Sequence, residues 1–151
     1  MKRWLLALIV LAVAVGLCAC AGRGEGDPAA QDPDRPVDLD LAPLSGTVVY
    51  SQVYDMMMEP ERYMGQKIRV KGNFSCFRDE ETGQDYFAAI IADATACCAQ
   101  GIEFVWRGAH EYPRDYPPLD TEITVTGTFE MYNEDGYDYI RLADAEVEWA
   151  E

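Results

Sequence analysis

Cys97 and Cys98 are the two residues of this chain with the most chemistry in reach. They are adjacent, within the run Asp93-Ala94-Thr95-Ala96-Cys97-Cys98-Ala99-Gln100-Gly101-Ile102-Glu103-Phe104. Consecutive residues of a strand point to opposite faces, but in a loop two thiols can converge. As thiolates they are soft ligands suited to zinc or copper(I), with Asp93 and Glu103 as candidate oxygen donors. Two thiolates and a carboxylate leave a coordination position open, which suits a transient carrier better than a structural site. Zinc sites usually space their cysteines as Cys-x-x-Cys, and only this one pair is present. Two other readings stay open: a strained vicinal disulfide acting as a redox switch, and a cysteine that merely packs as a small apolar residue. A thiol redox enzyme is the weakest reading, because no second cysteine stands at resolving distance. His110 is the single histidine, so a His-rich metal site is excluded, as is any Ser-His-Asp triad that does not use it. The chain carries no Gly-rich phosphate loop and no nucleophile–base pair, which favours a binding protein over an enzyme.

The beginning of the chain bears on where such chemistry would operate. Lys2 and Arg3 form a positive head, Trp4 to Leu17 is almost unbroken apolar sequence, and a polar segment follows Cys20. This is the pattern of an export signal, and it is shorter than the ~20 residues that span a bilayer comfortably. Leu17-Cys18-Ala19-Cys20 resembles the lipobox of bacterial lipoproteins, which implies lipidation at Cys20. The expected organisation is a lipoprotein signal peptide over residues 1–19, a flexible linker over 20–44 and one domain over 45–151. The linker is rich in Pro, Gly, Ala and Asp and has no hydrophobic period. The expected location is the extracytoplasmic face of a bacterial cell membrane, with a lipid anchor. From Ser45 to Glu151 there are 21 acidic against 8 basic side chains. Such a surface repels phosphate backbones, which excludes nucleic acid as a partner.

The elements that must position the cysteines are mostly strands. Val49, Val53, Met56 and Met57 recur at helical spacing and predict a short helix with one apolar face. Pro60 can open a second short turn, and Gly65 can close it with a left-handed cap. Five strands follow: Lys67 to Phe77, Tyr86 to Ala92, Gly101 to Arg107, Thr121 to Tyr132, and Tyr137 to Trp149. In the first and fourth, Ile68, Val70, Phe74 and Cys76 and then Ile123, Val125, Phe129 and Met131 are expected to face inward. Asn133-Glu134-Asp135-Gly136 is a hairpin loop. A shift of apolar parity between Leu142 and Val147 predicts a bulge. The pattern I-x-V-x-G-x-F occurs twice, from Ile68 to Phe74 and from Ile123 to Phe129. A Gly facing inward within a strand marks a tight bend. Two long bent strands in first and fourth place, among five, predict a mainly β fold: an OB-like barrel preceded by a short helix. With the first turn centred near Thr82, Cys76 is expected opposite Ala88, as a core thiol too far from Cys97 to be bridged.

The run from Tyr63 to Gly72, the Cys-Cys-x-x-Gly segment and the final I-x-V-x-G-x-F strand together resemble a paired-Cys domain of bacterial lipoproteins. They also resemble the C-terminal domain of an uncharacterised family of candidate permease subunits. The resemblance covers about Val49 to Glu148. It implies an OB-like extracytoplasmic domain and a link to transport or metal homeostasis, with no established activity. The function expected from all of this is a membrane-anchored binding domain that holds zinc or copper at the Cys-Cys loop, near a membrane transport protein. The alternative is a non-catalytic interaction or structural module whose cysteines only pack.

Overall fold

A computed structural model describes residues 34–92 and 98–150. The elements in chain order are β1 (Leu39–Asp40), α1 (Gly46–Met58), a 3-10 turn (Pro60–Arg62), β2 (Lys67–Arg78), β3 (Asp85–Ala92), β4 (Ala99–Trp106), β5 (Glu122–Glu134) and β6 (Tyr137–Trp149). The strands run in the order β1-β2-β3-β4-β6-β5, and β2 also pairs with β5. That last pairing closes five strands, β2 to β6, into a ring. The β4–β6 pairing is parallel and the other four pairings of the ring are antiparallel. The fold is therefore mainly β, an OB-like barrel with a leading helix.

The repeated motif forms the closing seam. β2 and β5 pair so that Ile68 faces Gly127, Val70 faces Val125 and Gly72 faces Ile123. Each copy thus lays its Gly opposite the Ile of the other. At both glycines the next strand is too close for a side chain. A Cβ on Gly72 would sit 2.9 Å from the Ile90 carbonyl oxygen, and one on Gly127 would sit 2.9 Å from that of Ala143. Beside Gly72, at Asn73, β2 passes from pairing with β5 to pairing with β3. Only a strand without a Cβ can bend through so narrow a corner.

Inside the ring lie Ile68, Val70, Phe74, Ile102, Phe104, Ile123, Val125, Phe129 and Leu142, all at most 1% exposed. Burying each large apolar side chain contributes roughly 1.5–3 kcal/mol. α1 packs on β3 and β4 through Val49, Val53 and Met56. Met57 does not share that buried face as its spacing suggested; it is exposed, because residues at i and i+1 on a helix lie about 100° apart. Gly65 has φ +74° and donates its N–H to the Phe129 carbonyl at 2.9 Å, so it turns the chain into β2. The parity shift in β6 is a bulge. Thr126 and Thr128 pair with Glu146 and Ala143, leaving one extra residue in β6, and Asp144 within it has φ +48°.

Two expectations need correction. The folded domain begins earlier than Ser45: β1 pairs in parallel with β2 at Ile68 and Arg69, Leu41 is 1% exposed, and Arg35 donates to the Gly65 carbonyl at 2.6 Å. A two-residue strand in Pro- and Asp-rich sequence has too few residues to show a period, so it read as linker. Met131 was placed inside, as the counterpart of Cys76, but it is 37% exposed. Beyond Phe129 the β5–β6 hairpin has left the barrel wall.

Candidate functional site

The outward hairpin creates a concavity. The end of β5–β6 leans over the outer face of β3 and β4 and encloses a cleft of about 610 Å³. Its floor is low because β4 presents Gly101 and β3 presents Ala88. Alternation assigns these residues to the outer face, since Ala89, Ile102 and Phe104 fill the core. One wall is the end of β2 with the turn that follows it, through Phe77, Asp79 and Thr82. The other is the β5–β6 turn, where Asp135 and Gly136 take φ of +52° and +86°. Those angles are the ones a two-residue hairpin loop requires, and Glu134 pairs with Tyr137 directly across it. Met57 of α1 closes one end of the cleft.

Two tyrosine–carboxylate bonds tie the overhanging hairpin to the sheet. Tyr132 of β5 donates its phenol to Glu103 of β4 at 2.5 Å, and Tyr86 of β3 donates to Glu134 of β5 at 2.9 Å. Burial pushes the Glu103 carboxyl above its ordinary range, against the pull of the Tyr132 hydrogen bond and the Arg141 charge. Tyr132 is raised by burial first and by its bond to Glu103 second. Tyr86 is pushed up to about 12, mainly because its proton is shared with the Glu134 carboxylate. Arg141 lies over the Tyr132 ring at 4.3 Å and pairs with Glu130 at 2.6 Å. Tyr132 and Tyr139 stack at 5.6 Å.

The residues singled out in sequence divide differently from expectation. Glu103 belongs to this cleft. Cys98 is exposed, just ahead of β4, and five residues of extended chain separate the two by roughly 16 Å. The structure does not bring them together. Asp93, Cys97 and the lipidation residue Cys20 lie outside the described residues, as does the signal sequence. Among the described residues no group of three His, Cys, Asp or Glu side chains is arranged to hold a metal ion, and no helix is long and apolar enough to cross a membrane. Cys76 pairs with Phe87, one residue from the expected Ala88. It packs against the edge of the core without being sealed in it, and burial pushes its thiol up. Across β3, Phe87 and Ala92 stand five residues apart, and Ala92 pairs with Ala99. Cys76 and Cys98 are therefore separated by roughly 16 Å or more.

The remaining aromatic residues divide between core and cleft. Tyr112 and Tyr116, from the connection between β4 and β5, lie against Phe87 at 5.4 and 4.2 Å and cover the core. Trp106 stacks on His110 at 3.6 Å. Tyr132 faces the cleft, a role that sequence reading did not assign to it together with Glu103, Glu134 and Tyr86. The available signal was weak: apolar alternation in β5 runs on to Met131, and Glu130, Tyr132 and Glu134 at the alternate positions read as an ordinary solvent-facing side. Comparison with known proteins finds no match, whether with a family model, a curated protein or a solved structure.

Proposed function

We propose that this protein is a non-catalytic binding module, tethered through Cys20 to the extracytoplasmic face of a bacterial membrane, and that it takes its ligand in the cleft beneath the β5–β6 hairpin. The cleft carries this reading. Its volume falls within the ~300–1,000 Å³ typical of small-molecule sites, and it lies over the two strands and two turns that OB-like barrels use for ligands. No polar or charged side chain is fully buried among the described residues, and the cleft brings Tyr86, Glu103, Tyr132 and Glu134 together on one surface. The tether suits such a role. β1 joins β2 at Ile68 and Arg69, whereas Ser75 and Phe77 of the cleft lie beyond the Gly72 corner, toward the other end of the same strand. The fifteen residues from Cys20 to Arg35 reach at most about 50 Å. The cleft is thus carried at the end of β2 remote from the anchor, open to whatever diffuses outside the membrane or is presented by a neighbouring transport protein.

Saturation-transfer NMR with a panel of small solutes tests this on the full-length protein in neutral detergent, wild type against Gly101→Trp. Position 101 faces outward, and an added Cβ meets only the end of the Ile90 side chain at 3.1 Å, so the indole fills the cleft while the barrel remains. Solutes that bind the wild type and lose their signal with Gly101→Trp support the reading; equal signals from both proteins overturn it. Cys20→Ser should move the protein from the membrane fraction to the soluble one, and unchanged fractionation removes the anchor.

A further inference from the structure

Resting on the cleft reading, we infer that the ligand is a small organic cation, an amine or quaternary ammonium, held between carboxylates and tyrosine faces. The chemistry of the lining is one-sided. Five carboxylates line the cleft, those of Asp79, Glu103, Glu134, Asp135 and Asp138, and the lining contains no Lys, Arg, His, Asn or Gln. The two phenols that bond across it, Tyr86 and Tyr132, already give their protons to Glu134 and Glu103. Apart from the hydroxyls of Ser75, Thr82 and Tyr139, what the cleft offers a ligand is hydrogen-bond acceptors and negative charge. A neutral sugar needs donors and acceptors together, and an anion meets only repulsion. A ligand that donates and carries positive charge satisfies both conditions.

The cleft also discriminates among cations. A bare metal ion needs several oxygen ligands converging within about 2.0–2.6 Å, and no such group exists among the described residues. An alkyl ammonium instead needs one or two carboxylates and an apolar or aromatic wall for its carbon atoms. Phe77, Tyr132, Tyr139 and Ile140 provide that wall. The protein already places one cation of this kind against the same ring, for the Arg141 guanidinium lies over Tyr132. That charge is committed to Glu130 at 2.6 Å, which leaves Glu103 half-buried with a phenol as its hydrogen-bond partner. Burial without a strong cationic partner disfavours the charged form of Glu103, and an arriving ammonium would relieve that cost.

Isothermal titration of the full-length protein in neutral detergent at 150 mM NaCl, with spermidine and with choline, tests the inference. Salt at that strength screens exposed charges beyond about 8 Å. At least one of the two should bind with 1:1 stoichiometry. Its affinity should fall ten-fold or more in Glu103→Gln and in Glu134→Gln, and should hold in Glu61→Gln, a surface control on the 3-10 turn. Thermal melts of both cleft variants establish that they fold. Failure of both amines to bind overturns the inference, and so does equal weakening by Glu61→Gln, which would mark diffuse attraction to an acidic surface. If maltotriose binds in place of the amines and Gly101→Trp abolishes it, the cation inference falls while the cleft remains the ligand site. If nothing in the solute panel responds to Gly101→Trp, the cleft reading itself falls.

Discussion

β5 serves two regions of the molecule under opposite constraints. From Glu122 to Phe129 it belongs to the seam, where Ile123, Val125 and Phe129 are buried and Gly127 accepts the neighbouring strand without a side chain. From Glu130 to Glu134 it belongs to the overhang, where Met131 is exposed and Tyr132 and Glu134 bond across the cleft. The seam is held by shape, and no substitution that adds volume fits it. The cleft is held by two polar bonds over a floor of small residues, and it has room. One strand can thus close a barrel with its first half and wall a cleft with its second.

Glycine substitutions at the two regions break this comparison most sharply. In Gly127→Val the new Cβ meets the Ala143 oxygen and the Leu142 Cβ at 2.9 Å, both fixed by the backbone of β6. The expected loss is about 3 kcal/mol or more, by overpacking and by disruption of the seam, which lowers Tm by roughly 10 °C or more. Gly101→Ala, in the cleft, meets only the end of the flexible Ile90 side chain and should cost less than about 1 kcal/mol. Thermal melts of the two proteins compare them, and losses of equal size would show that the cleft floor is as constrained as the seam.

Smaller effects probe the overhang. Tyr132→Phe removes the phenol donated to Glu103 and should cost about 1–3 kcal/mol by urea unfolding, as expected for a hydrogen bond to a charged group. Its packing against Tyr139 remains. A loss below the error of the measurement would show that the hairpin is held in place without this bond.

The pH dependence differs in sign from one carboxyl to another. The carboxyls of Asp79, Asp85 and Asp115 are held below their ordinary range. For Asp79 the cause is backbone N–H donors, for Asp85 it is Arg78, and Asp115 is lowered to about 2 by Arg114 and then by the Glu111 N–H. Their stabilisation is present above the unfolded carboxylate range and is lost as pH falls through the lowered values. Glu103 is shifted the other way, chiefly by burial. Its contribution is most favourable below the unfolded value and declines as pH rises through the raised one. The Tm of Glu103→Gln relative to wild type should therefore increase between pH 4 and pH 7, and a difference that shrinks over this range would contradict the assigned cause.

The smallest effect on the fold belongs to Cys98. Exposed Cys98 replaced by Ser should change stability by no more than about 0.5 kcal/mol. Metal analysis of the reduced protein, with and without Cys97→Ser/Cys98→Ser, measures the soft-metal reading of the cysteine pair. One zinc or copper per chain, lost in the double variant, would support it, and sub-stoichiometric metal in the wild type would end it.

Much of the barrel was legible because burial on one side of a strand imposes a period of two, and two copies of I-x-V-x-G-x-F display it. The helix face at Val49, Val53 and Met56, the turn at Gly65, the hairpin at Asp135-Gly136 and the bulge near Asp144 are local events with local signals. Cys76 was placed one residue out of register because the turn from Asp79 to Gln84 sets the pairing, and its centre is hard to fix among exposed polar residues. β1 was missed because a strand of two residues has no period to detect. The cleft was missed for a deeper reason. Tyr86, Glu103, Tyr132 and Glu134 lie on three strands, up to 48 residues apart in their bonded pairs, and no single motif contains them.

By itself, then, the order of residues determined where the strands bend and which of their sides are apolar, because solvent exclusion and the missing Cβ of glycine act on each residue where it stands. Only the tertiary structure decided that Glu103 answers to Tyr132 and not to Cys98 five positions away. That choice depends on where a hairpin lies after it leaves the barrel, and strand pairing sets it, not proximity along the chain.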